Sequence, residues 1–288
     1  MRALARFVMR GPLQAGGVAA ASIALPLLFW IGAAVTGLVI LRLGIRQGLN
    51  IGLWALLPAI GWAWVGQDPT ALAVLLMTMV MAAVLRTTSS WEKTLVSGSV
   101  LAIVAGFMLP ALYPGLLDQL VNAGVQFYEQ YNADLARSMG SSLEVVIRQT
   151  MEATMAGSFL VTGMAMTMLA RSWQAGIDNP GGFRREFHAL RLSVPIATLC
   201  VATTLVGPYL GLSPVLLVWA GGLPLLVAAV ALVHGVIGRK NMGVQWLVLF
   251  YIALLLLGPS LMFLLLVLAY VDSWLNIRGR MKPGDSAE

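Results

Sequence analysis

The chain has 288 residues, of which 59% are hydrophobic and 10% are charged. Soluble domains average about 45–50% apolar and about 25% charged residues, so this composition excludes an ordinary soluble protein. Apolar runs recur along nearly the whole chain, and we predict a single integral membrane domain over residues 1–288. The net charge of +6 comes from short connectors rather than from one helix face, which favours an orientation signal over nucleic-acid binding.

The chain begins with three arginines ahead of an apolar stretch: Arg2, Arg6 and Arg10. This is typical of a signal peptide, but because many apolar runs follow, we expect a retained anchor. Small residues then recur every four positions: Gly16, Ala20 and Ala24. That spacing lets another helix approach closely, either inside the protein or from a partner.

Eight apolar runs follow one another along the chain: 12–41, 49–66, 70–85, 94–112, 153–170, 192–211, 214–233 and 244–271. They lack strict apolar and polar alternation, and an open sheet would leave backbone groups unpaired in lipid, so helices are predicted. The first and last runs exceed the about 20 residues of one span. The first is interrupted at Pro26 and Gly32, and the last at Gly258-Pro259.

Basic residues group in the connectors: Arg2 to Arg10, Arg42 and Arg46, Arg86 and Lys93, Arg171 to Arg191, Arg239 and Lys240, and Arg278 to Lys282. Such groups mark the cytoplasmic side. Placing all six there requires a hairpin in the first run and another in the last, which gives ten crossings; single tilted crossings would give eight. We therefore predict an all-α, polytopic bundle of eight to ten membrane segments in a bacterial inner membrane, with both termini cytoplasmic.

Residues 113–152 are an acidic exception, with five carboxylates against two arginines. Their apolar residues recur at helical spacing on both sides of a break at Gly140-Ser141-Ser142. The pattern predicts an extracytoplasmic insertion of two amphipathic helices on the outer face.

Catalytic motifs are missing from the chain. It has no Gly-Lys-Ser/Thr phosphate loop, no Gly-x-Ser-x-Gly elbow and no His-Glu-x-x-His. Cys200, the only cysteine, lies in an apolar run and is interpreted as a packing residue. His234 ends the seventh run, as an interfacial side chain or a ligand. We predict no enzyme activity, and no catalytic, cofactor-binding or metal-binding residue.

The connector 171–191 is predicted to be a cytoplasmic loop with a tight turn at Asn-Pro-Gly-Gly. Phe183, Phe187 and Leu190 then form one helical stripe, and arginines beside it can face phosphates. The segment is either a helix lying on the membrane surface or a docking surface. The docking candidates are Trp173, Asn179, Pro180, Gly181, Gly182, Phe183, Phe187 and Arg191.

Asp272 follows the last run at the cytoplasmic surface, where a carboxylate needs a nearby cation. Arg278 lies six positions on, which is too far for a helical contact at three or four positions. The sequence therefore predicts an ion pair between Asp272 and Arg184, Arg185 or Arg191. The alternative is a solvated carboxylate.

Two motifs suggest a family. Trp173-Gln174-Ala175 with Asn179-Pro180-Gly181-Gly182-Phe183, and Asp272-x-Trp274-x-x-x-Arg278, resemble the YybS-like family of bacterial membrane proteins. That family is distantly similar to S-components of energy-coupling-factor vitamin transporters and to the cell-shape protein MreD. The resemblance implies an S-component-like or MreD-like fold. It also implies that Ala20 and Ala24 correspond to a first-helix pattern that packs against a coupling subunit.

Two functions remain open on the sequence. The first is a solute-binding subunit that borrows an ATPase, with an outward pocket lined by aromatic groups such as Trp62, Trp64, Tyr113, Tyr128 and Tyr131. The second is a non-transporting scaffold of envelope or cell-shape machinery. The expected partners are the lipid bilayer and a membrane coupling subunit or an envelope protein, without nucleic acid and without a cofactor.

Overall fold

The computed structural model describes residues 2–210 and 213–281, which form helices joined by short turns. No strand occurs among them, so the all-α class is confirmed for the described part of the chain. The helices are α1 (Arg2–Val8), α2 (Pro12–Ala24), α3 (Phe29–Leu43), α4 (Ile45–Trp64), α5 (Thr70–Thr88), α6 (Trp91–Leu112), α7 (Pro114–Tyr131), α8 (Ala133–Met139), α9 (Ser142–Asp178), α10 (Gly182–Ala189), α11 (Val194–Val206), α12 (Pro214–Arg239), α13 (Gln245–Leu275) and α14 (Ile277–Arg280).

Five of the described helices are long and apolar enough to cross a membrane: α5, α6, α9, α12 and α13. A sixth results if α10 and α11, which are bent by 67° where they join, count as one broken span. The chain therefore has the architecture of a helical membrane protein. Counted by length and composition alone, the membrane-spanning helices are fewer than the predicted eight segments. One reason is that helices such as α3, with 15 residues, are short for a straight crossing.

The first apolar run is a hairpin of two short helices. The helix α2 ends at Ala24 and α3 begins at Phe29, so the break falls around Pro26, as predicted, whereas the interruption predicted at Gly32 is wrong because Gly32 lies inside α3. A Cβ atom added to Gly32 of α3 would lie 2.6 Å from the carbonyl oxygen of Ala19 in α2. Backbones this close require that the chain reverses between the two helices.

The last run also folds back on itself. Gly258 interrupts α13 with φ of +47°. Before it, the Tyr251 hydroxyl lies 2.9 Å from Nε2 of His234. After it, Arg278 lies against the adjacent residue Gly235, where an added Cβ would be 2.9 Å from Arg278 Cδ. A straight helix would separate Tyr251 and Arg278 by about 40 Å, so the predicted hairpin is confirmed.

The helix α9 corrects two predicted boundaries. The pattern predicts a separate amphipathic helix before residue 153 and a loop after residue 170. Instead, α9 runs unbroken for 37 residues from Ser142 to Asp178. No proline interrupts it, and at 1.5 Å per residue it is about 55 Å long, which exceeds the about 30 Å of a bilayer core.

The helices α7 and α8 and the first turns of α9 form one unit, here called the outer arm (residues 113–152). A small apolar cluster holds it together: Val121, Leu143 and Ile147. An ion pair of 2.8 Å joins Asp118 of α7 to Arg148 of α9. The predicted break is confirmed, because α8 ends before Gly140, which has φ of +53°.

The basic connectors meet at one end of the bundle, here called the basic end (residues 42–46, 86–93, 171–193, 235–244 and 276–280). The contacts between them join Arg42 with Asp178, Arg86 with the Leu41 carbonyl, Arg191 with the Asp272 carbonyl, and Arg278 with the His188 carbonyl. These contacts show that the later basic connectors lie at one end of the bundle, and the placement of the first basic group, Arg2 to Arg10, with them stays a prediction. The outer arm lies at the other end of the bundle, because α9 begins in it and ends at the basic end.

Candidate functional site at the basic end

The turn between α9 and α10 is built as its sequence predicts. Gly181 has φ of +83°, a left-handed conformation that favours glycine. The Gly182 N–H donates a hydrogen bond of 2.9 Å to the carbonyl oxygen of Asn179. The Arg185 guanidinium donates to Oδ1 of Asn179 over 3.0 Å. The exposed turn, residues 179–181, is thus internally braced.

The apolar face of α10 is turned toward the bundle. The ring of Phe183 lies 6.0 Å from that of Trp91, and the ring of Phe187 lies 5.4 Å from that of His234. Both phenylalanines are half-buried and Gly182 is buried. The predicted stripe is confirmed for Phe183 and Phe187, which pack with Gly182 against the bundle, and a docking role for these three residues stays a prediction.

A half-buried carboxylate holds α10 in place. Glu186 accepts a hydrogen bond of 3.0 Å from Nε of Arg171 in α9 and forms an ion pair with it. The indole N–H of Trp91 in α6 donates to the same carboxylate over 3.4 Å. We call Arg171, Glu186 and Trp91 the clamp. Beside it, Glu92 accepts hydrogen bonds of 2.7 Å from both the N–H and the hydroxyl of Ser193.

The sequence reasoning missed the clamp. Arg171 and Glu186 are 15 positions apart, and no helical periodicity connects residues on two helices. A weaker signal was present, because Glu92 and Glu186 are acids within connectors that are basic overall. A carboxylate in such surroundings favours an ion pair or a hydrogen bond to a backbone N–H.

Trp173 is corrected from a docking residue to a core residue. Its side chain is 3% exposed and belongs to the main apolar cluster. The reason is that α9 continues past the predicted loop boundary, so position 173 lies on a packed helix. Its indole N–H has no hydrogen-bond partner among the described residues.

Asp272 is ion-paired, but the predicted partner is wrong. Its Oδ2 lies 3.0 Å from Nη2 of Arg278, and its Oδ1 accepts a hydrogen bond of 2.8 Å from the N–H of Ile277. Asn276 has φ of +48°, which ends α13 and turns the chain back. A residue six positions on therefore reaches the carboxylate. Arg184, Arg185 and Arg191 do not form this ion pair.

Arg278, rather than Asp272, connects the last helix to the segment that follows α10. Its guanidinium donates hydrogen bonds of 2.7 Å to the carbonyl oxygens of His188 and Leu190. Burial lowers the pKa of Arg278, while Asp272 acts in the opposite direction. The last helix is thus fastened to the α10 connector through a buried arginine.

The small residues of α2 differ in burial along the helix. Gly16 is buried against Trp54, with an added Cβ 3.4 Å from Cδ1 of the indole, whereas Ala24 is exposed and Ala20 is half-buried. The close approach of α2 is made by Ala19 to Gly32 within the protein. The spacing was expected to allow a helix contact either inside the protein or with a partner. Gly16 makes a contact inside the protein, with Trp54.

An apolar groove of about 220 Å³ lies between α5 and α6 near the outer arm. Its lining includes Leu72, Leu76, Leu101, Met108, Tyr113 and Phe159. Of the five aromatic residues expected around an outward pocket, Tyr113 alone lines this groove. Trp64 is 81% exposed, because α4 turns it away from the bundle.

The described residues offer no obvious metal site. Among residues 2–210 and 213–281, no three His, Cys, Asp or Glu side chains are placed to hold a metal ion. Cys200 is buried.

Comparison with protein-family models, curated proteins and solved structures gives no match to this chain. The resemblance to the YybS-like family and to S-components and MreD stays a prediction.

Proposed function

We propose that this protein is a non-enzymatic scaffold of the bacterial inner membrane, which binds an envelope or cell-shape protein through its basic end. The supporting observation is the clamp, which fixes α10 while the turn 179–181 remains exposed. A pre-ordered loop binds a partner at low entropic cost. Arg184 and Arg185 are exposed beside the turn, so a partner with an acidic surface fits it.

We also propose an orientation, with the basic end in the cytoplasm and the outer arm outside it. The grouping of basic connectors supports this, because lysine and arginine accumulate on the cytoplasmic side. Ten segments then connect the two ends: α2, α3, α4, α5, α6, α9, α11, α12 and the two halves of α13. Short members such as α2, with 13 residues, cross where the bilayer thins locally.

Reporter fusions test this topology. A phosphatase that folds only outside the cytoplasm should be active after Glu129 and after Gly258, and inactive after Asn179. The reason is that the first two positions lie at the outer end and the third lies in the basic turn. Equal activity after Glu129 and Asn179 would refute the orientation, and an inactive fusion after Gly258 would refute crossing by the α13 halves.

In-cell crosslinking tests the scaffold. A photoreactive amino acid at position 184 is expected to give one discrete protein adduct, because that exposed side chain flanks the braced turn. The control is position 46, an exposed arginine in another connector of the basic end, which should not give the same adduct. Adducts with lipid alone at position 184, or the same adducts at both positions, would contradict partner binding through this turn.

A solute-binding subunit is the second candidate function, and the apolar groove between α5 and α6 favours it. Its lining is almost wholly hydrocarbon, so its ligand would be apolar rather than a charged vitamin. Under this function α2 would contact a coupling subunit through Ala20 and Ala24. A small molecule retained by the purified protein in native mass spectrometry, and lost when Ala73→Trp fills the groove, would favour this function over the scaffold.

A further inference from the structure

A second cavity at the basic end is lined by arginines and carries no assigned role. It has a volume of about 540 Å³ and lies between the end of α12, the connector after α10 and α14. Its lining residues are His188, Ala189, Arg191, Gly235, Gly238, Arg239, Asn276, Arg278 and Gly279. Its size falls within the about 300–1,000 Å³ of small-ligand sites.

Positive charge in this cavity is only partly compensated. Asp272 is paired with Arg278 and lies 2% exposed beneath it. Arg191 and Arg239 are exposed and take part in none of the ion pairs among the described residues. Burial first, and then Arg184 and the neighbouring cations, lowers the pKa of His188. The cavity is therefore an environment that favours an anion.

An apolar groove of about 410 Å³ lies beside this cavity, along α12 and the α13 hairpin. Its lining includes Leu232, Val233, Val236, Ile237, Trp246, Phe250, Leu268 and Ile277. Residues that line the groove are sequence neighbours of residues that line the cavity. In α12, Val236 and Ile237 line the groove, whereas Gly235 and Gly238 line the cavity. In α14, Ile277 lines the groove and Arg278 lines the cavity.

We propose that the cavity and groove together form a binding site for an anionic phospholipid. Guanidinium groups bind phosphate oxygens with paired hydrogen bonds, and Arg191 and Arg239 have donors free of ion pairs among the described residues. The adjoining groove accepts an acyl chain. A free phosphate would use the arginines but not the groove, so the lipid matches the whole surface. The site requires only that the chain lies in a membrane, and it is independent of the protein partner.

The test compares lipids on the purified full-length chain in neutral detergent. Dioleoyl phosphatidylglycerol should raise the thermal unfolding midpoint and remain bound in native mass spectrometry. Dioleoyl phosphatidylcholine, inorganic phosphate and glycerol phosphate should do so much less. One net hydrogen bond from a guanidinium to the phosphate contributes about fivefold in affinity, so the double variant R191Q/R239Q should weaken phosphatidylglycerol binding by about 30-fold.

The matched control is R6Q/R46Q, which removes two exposed arginines outside the cavity. It should retain phosphatidylglycerol affinity within about threefold, because general surface attraction contributes little in neutral detergent. Equal losses in both double variants would overturn the site in favour of general charge attraction. Equal effects of phosphatidylcholine would overturn the headgroup assignment, and full stabilisation by inorganic phosphate would overturn the lipid in favour of a free anion.

Discussion

Replacing Arg278 by alanine is expected to lower the free energy of unfolding by about 3–5 kcal/mol, and the unfolding midpoint by roughly 10 °C. The variant leaves the Asp272 carboxylate, 2% exposed, without its cation. It also leaves the His188 and Leu190 carbonyl oxygens without their 2.7 Å hydrogen bonds. Thermal unfolding of the purified protein in detergent measures the loss.

Two further variants separate the ion pair from general damage. Arg280 is exposed on the same short helix, so R280A should stay within about 0.5 kcal/mol of the parent protein. The double variant D272L/R278M removes both charges and their desolvation cost, and it should recover much of the loss. A loss in R278A no larger than that in R280A would contradict the fastening role of Arg278.

Replacing Gly221 by alanine is expected to cost about 3 kcal/mol, through overpacking where α11 meets α12. The added Cβ would overlap the carbonyl oxygen of Cys200 and would lie 2.5 Å from Oγ1 of Thr204. A backbone atom cannot rotate away, so the two helices must separate. Thermal unfolding in detergent again provides the measurement.

The neighbouring glycine is a control within the same helix. At Gly222 the nearest atom to an added Cβ is Cδ1 of Leu266, at 3.9 Å, so alanine fits there. G222A should be neutral or stabilising by up to about 1 kcal/mol, because alanine favours helix more than glycine does. Equal destabilisation by G221A and G222A would show that a general sensitivity of this helix to substitution, rather than the contact with Cys200, explains the loss.

The hairpins and the turn could be predicted because each depends on local sequence. Pro26 and the Gly258-Pro259 pair interrupt runs that are too long for one span, and the chain reverses at both. Gly181 follows Asn-Pro and adopts the left-handed backbone that the turn requires. The basic connectors could be grouped in advance because charge near a membrane follows orientation rather than tertiary contact.

The rest depends on contacts that no local pattern encodes. The reversal after α13 rests on Asn276 in a left-handed conformation, which places Arg278 beside Asp272 instead of a full turn beyond it. Arg171 and Glu186 meet because two helices pack, not because of their spacing. The burial of Trp173 follows from a helix that continues past a polar stretch, where tertiary packing overrides composition.

The continuity of α9 has a mechanical consequence. Near its start Arg148 is tied to Asp118 of the outer arm, and near its end Arg171 belongs to the clamp. These two arginines are about 35 Å apart along one proline-free helix. A force that tilts or twists the outer arm is therefore carried through a stiff rod and moves the turn 179–181 with it. The outer arm and the turn 179–181 are therefore linked mechanically, although they lie near opposite ends of one helix.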